Sequence, residues 1–108
     1  MIYIRNMRTI RWKPVMGAYH VRVDRTSPLG NPYPMLGHSQ RERDEVCEAY
    51  ATWYAIQMAE PGSPMRRERD RLLALARTGD LFLYCWCAPK RCHAETIKAD
   101  LEAAINRE

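Results

Sequence analysis

Seven consecutive apolar residues, Leu81, Phe82, Leu83, Tyr84, Cys85, Trp86 and Cys87, constrain this chain more than any other feature. No polar residue alternates with them, so as a strand the segment is apolar on both faces. A strand of that kind belongs in the interior of a sheet, covered on each side. Ala88, Pro89, Lys90 and Arg91 then read as a turn. A helix follows from about Cys92, with Ile97, Leu101, Ala104 and Ile105 as its apolar stripe. The run is too short to span a bilayer, and the N-terminus lacks the apolar core of a secretory signal, so a cytoplasmic protein with no membrane partner is expected.

The remaining elements follow from periodicity and punctuation. Ile2, Tyr3 and Ile4 suggest a short strand. Tyr19, Val21 and Val23 alternate with His20, Arg22 and Asp24, the pattern of a half-buried strand. Pro14 and Gly17 mark a connection between the two, with extra strand pairing expected around Thr9 to Trp12. Ser39 and Glu42 form a capping box that opens a helix, and Cys47, Tyr50, Tyr54 and Met58 give it one buried stripe, with Val46 and Trp53 beside it. Pro61 and Gly62 end that helix, and Ser63 with Pro64 opens the next, which Gly79 closes. On this second helix Arg66, Arg67, Arg69 and Arg71 interleave with Glu68 and Asp70, which reads as a solvated face. Strands that alternate with helices predict one α/β domain over residues 1–108, a small Rossmann-like layered fold with a mixed or mainly parallel sheet flanked by helices.

Three of the four cysteines fall in the segment Cys85-Trp86-Cys87-Ala88-Pro89-Lys90-Arg91-Cys92-His93. Two chemistries compete for it. On a strand Cys85 and Cys87 would point to one face, and with Cys92 and His93 they supply four zinc donors. The spacing is awkward for a tetrahedral ion, because C-x-C on a straight strand lacks the turn of a zinc knuckle; no cofactor is expected, and zinc is the alternative. The other chemistry is an anion site. A strand end, a cationic turn and a helix N-terminus place free amides and a positive dipole end together. There Cys92 would have a lowered thiol pKa and serve as nucleophile, with His93 as acid–base partner and Lys90 on the anion.

A second constellation follows the second strand: Arg25-Thr26-Ser27-Pro28-Leu29-Gly30-Asn31-Pro32. Arg25 offers a fork for phosphate or carboxylate, Ser27 and Asn31 offer hydrogen bonds, and Gly30 allows close backbone approach. Ligands of α/β sheets bind beyond the carboxyl ends of the strands, so Arg25, Ser27 or Asn31 should approach the Cys92–His93 turn. His20 and His38 stand alone and read as surface or locally satisfied polar groups, and Cys47 reads as packing. The formal charge of +4 suits an anionic partner, nucleic acid included, without requiring one.

The two blocks, R-x-S-P-x-G-N-P at residues 25–32 and C-W-C-A-P-x-x-C-H at residues 85–93, resemble the hallmarks of domain of unknown function 4326, a family frequent in bacteria and phages. The resemblance covers about residues 19–100 and implies no particular reaction. A more distant similarity links the second block to domain of unknown function 488, where a strand ending in Leu-Cys-Ala-Glu precedes Cys-His-Arg at a helix start. There Glu would stand at Cys87 and arginine at Ala94. That similarity implies that Cys92 and His93 are the shared element and that Cys87 is dispensable, which weakens the zinc set. The expectation is thus a domain that binds a small anionic ligand, acting on a nucleotide, nucleoside or nucleic-acid end, and free to form a homo-oligomer. The rival is a non-enzymatic interaction protein, such as a phage-encoded modulator of a host enzyme, with structural cysteines and zinc as an optional staple.

Overall fold

In a computed structural model, which describes residues 1–34, 37 and 39–108, the apolar run supplies the middle strand of a three-stranded sheet. The elements in chain order are β1 (Ile2–Asn6), a 3-10 turn at Pro14–Met16, β2 (His20–Arg22), α1 (Gln40–Met58), α2 (Pro64–Thr78), β3 (Leu81–Cys85) and α3 (Ala94–Asn106). The sheet order is β1-β3-β2, and β3 runs parallel to both neighbours. All three strands therefore end at one edge of the sheet, at Asn6, Arg22 and Cys85. No helix among the described residues is long and apolar enough to cross a membrane. His38 lies outside the described residues.

The helices form because their stripes find the sheet. Leu81, Leu83 and Cys85 alternate toward a core that also contains Ile2 of β1, Val21 of β2 and Val23 just beyond β2. Tyr50 and Tyr54 of α1, Met65, Leu72 and Leu73 of α2, and Ile97 and Leu101 of α3 fill the same core. Ser39 and Ser63 accept the amides of Glu42 and Arg66, capping α1 and α2 as their sequences predict. Between the helices, Tyr54 donates to Asp100 at 2.6 Å and Arg69 pairs with the same carboxylate at 2.8 Å, tying all three helices together.

The opposite sheet face carries no α-helix among the described residues, yet β3 is buried there at Tyr84 and only Phe82 is partly exposed. Phe82 there stacks between Tyr3 and His20, its register partners on β1 and β2, at centroid separations of 5.1 and 4.7 Å. The Arg5 guanidinium lies 4.9 Å from the Phe82 ring centroid. His20 is a satisfied polar group, its Nδ1 bonded to the Tyr84 hydroxyl at 2.7 Å.

Two further local expectations are corrected. No strand forms around Thr9 to Trp12. The amides of Thr9 and Ile10 both turn back to the Asn6 carbonyl, and Trp12 instead donates its indole N–H to the His20 carbonyl of β2 at 2.7 Å. The strand at residues 81–87 stops at Cys85 because both neighbours leave it there. Met7 and Val23 donate to the carbonyls of Cys85 and Tyr84, the last bonds on either side, and the chains beyond them turn away. Trp86 is consequently half exposed, and Cys87 does not share a strand face with Cys85.

Candidate functional site

The common edge of three parallel strands brings the two motif loops together. Beyond β2 the chain folds back at once. Asp24 accepts from the Thr26 hydroxyl at 2.6 Å, and the Ser27 amide bonds the Asp24 carbonyl at 2.9 Å. Leu29 is fully buried, and its carbonyl accepts from the Tyr50 hydroxyl at 2.7 Å. Beyond β3 the chain turns through a cis Ala88–Pro89 peptide, with the Asn6 amide group donating to the Ala88 carbonyl at 2.5 Å. α3 then starts with its cap residue, His93, donating Nε2–H to the Val23 carbonyl at 2.5 Å. A carbonyl only accepts, so this bond fixes the tautomer of neutral His93 and leaves Nδ1 as an acceptor. Burial lowers the His93 pKa below its ordinary value.

Between these loops lies a cavity of about 310 Å³. From the first motif Arg25 and Asn31 line it; from the second, Cys87, Cys92 and His93. The expected convergence of the two motifs is therefore present. Three predicted residues do not line this cavity. Ser27 uses its hydroxyl on the Leu29 amide at 3.1 Å, a local turn bond, and faces a separate groove beside Trp12. At Gly30 a Cβ would collide with the Asp24 carbonyl oxygen and lie 2.6 Å from the Arg25 Cα, so glycine is needed for the loop to fold against itself. Lys90 is exposed, and its neighbour Arg91 enters the lining instead.

Arg43 and Trp86 are lining residues that the sequence reading passed over. Arg43 is buried and donates to the Arg91 carbonyl at 3.2 Å. Its signal was present: Arg43, Cys47, Tyr50 and Tyr54 recur at helical spacing, so an arginine extends the buried stripe of α1. Arg91 pairs with Asp44 at 3.0 Å, whereas Arg25 makes no ion pair among the described residues. The Trp86 indole donates to Asp24 at 3.1 Å, and Arg22 bonds the same oxygen at 2.6 Å. Burial pushes the Asp24 carboxyl up, but the bonds from Arg22, Thr26 and Trp86 outweigh it and hold the pKa at about 2.

Cys47 is buried, as its place on the α1 stripe predicts. Cys85 and Cys92 are both buried, with their sulfurs 3.1 Å apart. The Cys92 thiol is pushed up, first by its hydrogen bond to Cys85 and then by burial, while the same bond lowers the Cys85 thiol. The favourable position of Cys92 at a helix start is offset because Glu95 already accepts the Cys92 amide at 3.1 Å. A carboxylate of the chain itself thus occupies part of the site in which an external anion was expected. Among the described residues no three His, Cys, Asp or Glu side chains are grouped to hold a metal ion. In the four-donor set Cys85, Cys87, Cys92 and His93, the Nε2 of His93 is committed to Val23.

A model of the family described as Domain of unknown function (DUF4326) matches residues 5–103, a span that includes both motif loops, the whole of β2, α1, α2 and β3, and most of α3. Neither the curated proteins nor the solved structures provide a match.

Proposed function

The chain belongs to the DUF4326 family, and we propose that it binds a small anionic ligand of the nucleotide class in the cavity at the carboxyl edge of its sheet. The observation that carries this reading is that Arg25, Arg43 and Arg91 all line one cavity beside the half-exposed Trp86 ring, with Arg91 paired to Asp44, Arg43 bonded to the Arg91 carbonyl and Arg25 in no ion pair among the described residues. Guanidiniums present paired N–H groups that suit phosphate or carboxylate oxygens. An indole and the Tyr33 ring at the same cavity suit a planar heterocycle. Asn31 accepts the Tyr33 amide through Oδ1 at 2.9 Å, which leaves its NH₂ group to donate to a ligand. The volume lies at the lower end of the range for small-molecule sites, enough for a nucleotide fragment. Neutral His93, with Nδ1 as its remaining acceptor, is the group suited to take a proton from a bound hydroxyl or amine. Cys92, buried with its sulfur against that of Cys85, is not assigned a nucleophilic role.

Thermal unfolding in the presence of inorganic phosphate, nucleosides, and nucleoside mono- and diphosphates tests this reading. Nucleotides should raise the melting temperature more than phosphate or nucleosides alone, and Arg25→Ala should abolish the rise while leaving the unliganded melting temperature unchanged. No shift with any of these compounds, or a shift that Arg25→Ala leaves intact, would sink the proposal.

A further inference from the structure

We propose that the helix-free face of the sheet, with the basic segment that follows β1, is a binding track for single-stranded nucleic acid. Charge is the first observation. Residues 1–23 contain Arg5, Arg8, Arg11, Lys13 and Arg22 and no acidic residue, leaving 12 basic against 13 acidic side chains in the rest of the chain. The positive charge of the protein is thus concentrated in its first fifth, and such local asymmetry is the electrostatic footprint of a polyanion partner. Arg8, Arg11 and Lys13 are exposed, and neither they nor Arg5 form an ion pair among the described residues. No acidic side chain has been placed there to neutralise them.

Aromatic chemistry is the second observation, and it selects the kind of polyanion. Tyr3, Phe82 and His20 form a row across all three strands, each only partly buried. Arg5 lies over the Tyr3 and Phe82 rings at 5.9 and 4.9 Å, and Arg22 lies over the Trp12 ring at 5.4 Å. Partly exposed rings interleaved with guanidiniums on a sheet face without an α-helix match unstacked bases and their phosphates, which duplex nucleic acid does not present. An acidic protein segment would use the cations but gain little from the ring row. The track is separate from the cavity, and this inference stands whether or not the cavity binds nucleotides.

Fluorescence anisotropy of the full chain with labelled oligothymidylate and oligouridylate tests it. The wild type should bind these strands, prefer them to a duplex of the same length, and weaken as salt rises. The variant Arg8→Ala/Arg11→Ala/Lys13→Ala should bind at least tenfold more weakly at low salt. Its log K against log salt slope should be shallower by about 2, at about 0.7 per lost phosphate contact. Its far-UV spectrum and melting temperature should be unchanged, because the three side chains are exposed. Tyr3→Leu, which keeps the apolar bulk, should weaken binding at every salt concentration without changing the slope. Arg25→Ala, in the cavity, should leave oligonucleotide affinity intact. Absence of binding at low salt, binding unaffected by the triple substitution, or equal displacement by polyglutamate and oligothymidylate would each overturn the proposal.

Discussion

α2 and the segment after β1 are both rich in arginine, and their arginines serve different ends. On α2, Arg66 pairs with Asp70 at 3.1 Å, Arg71 with Glu68 at 2.7 Å and Arg69 with Asp100 at 2.8 Å. Arg77 reaches Glu108. Those four charges are neutralised within the fold, and of the α2 arginines Arg67 alone makes no ion pair among the described residues. Arg5, Arg8, Arg11 and Lys13 have no acidic residue nearby in sequence and no ion pair among the described residues. Arginine count therefore says little about an anionic partner. What distinguishes the two regions is whether a carboxylate lies within reach.

Substitutions that remove cations from each region sharpen this contrast. The largest effect is expected at Arg69, whose side chain is only 11% exposed. Arg69→Ala strips the charge partner from Asp100 and leaves it bonded to Tyr54 alone. A loss of about 3 kcal/mol in urea unfolding is expected, since breaking a partly buried pair strands the other charge. A loss below about 1 kcal/mol would place Arg69 with ordinary surface pairs and weaken the contrast.

An intermediate effect is expected at Asp24, the carboxylate that neutralises Arg22. The sign follows from its depressed pKa. An acid held at about 2 in the folded chain, against 3.8 unfolded, stabilises the fold above pH 4 and loses that contribution as pH falls toward 2. Asp24→Asn should thus cost on the order of 2 kcal/mol at pH 7 and flatten the stability curve between pH 4 and 2. Urea midpoints measured across that range would show it, and an unaltered acid limb would mean that other carboxylates govern acid unfolding. The smallest effect is expected from the triple substitution of Arg8, Arg11 and Lys13 by alanine. Its urea midpoint should move by less than about 0.5 kcal/mol, since exposed unpaired cations stabilise nothing. A larger loss would show that these residues, like those of α2, belong to the fold.

Much of this architecture is legible in the chain because it rests on local rules. The unbroken apolar run marks β3 as the middle strand, Ser39 and Ser63 mark helix starts, and the Cys47-Tyr50-Tyr54 stripe marks the buried side of α1. The meeting of the two loops also follows, once the strands are parallel. What is not legible depends on contacts between distant residues. Lys90 and Arg91 are equally cationic, and the sequence does not show that Arg91 is the one that meets Asp44 and lines the cavity. The thiol of Cys92 resembles an activated helix-start cysteine until the partners at Cys85 and Glu95 are in place. The aromatic row escapes notice because Tyr3, Phe82 and His20 look like ordinary strand residues until their register aligns them.

The strand order carries a consequence for how the chain folds. β3 is the last strand in sequence yet lies between the first two, pairing Ile2 with Leu81 and Val21 with Leu83. Neither β1 nor β2 has a sheet neighbour until residues near 80 have been synthesised. Every strand contact closes a loop of about 60 residues or more, so the sheet forms only through long-range closures that slow folding relative to the local contacts of the helices. α1 and α2, adjacent in sequence and packed together, are the elements able to form before the sheet exists, with β3 inserting afterwards to join its two flanking strands in a single cooperative step.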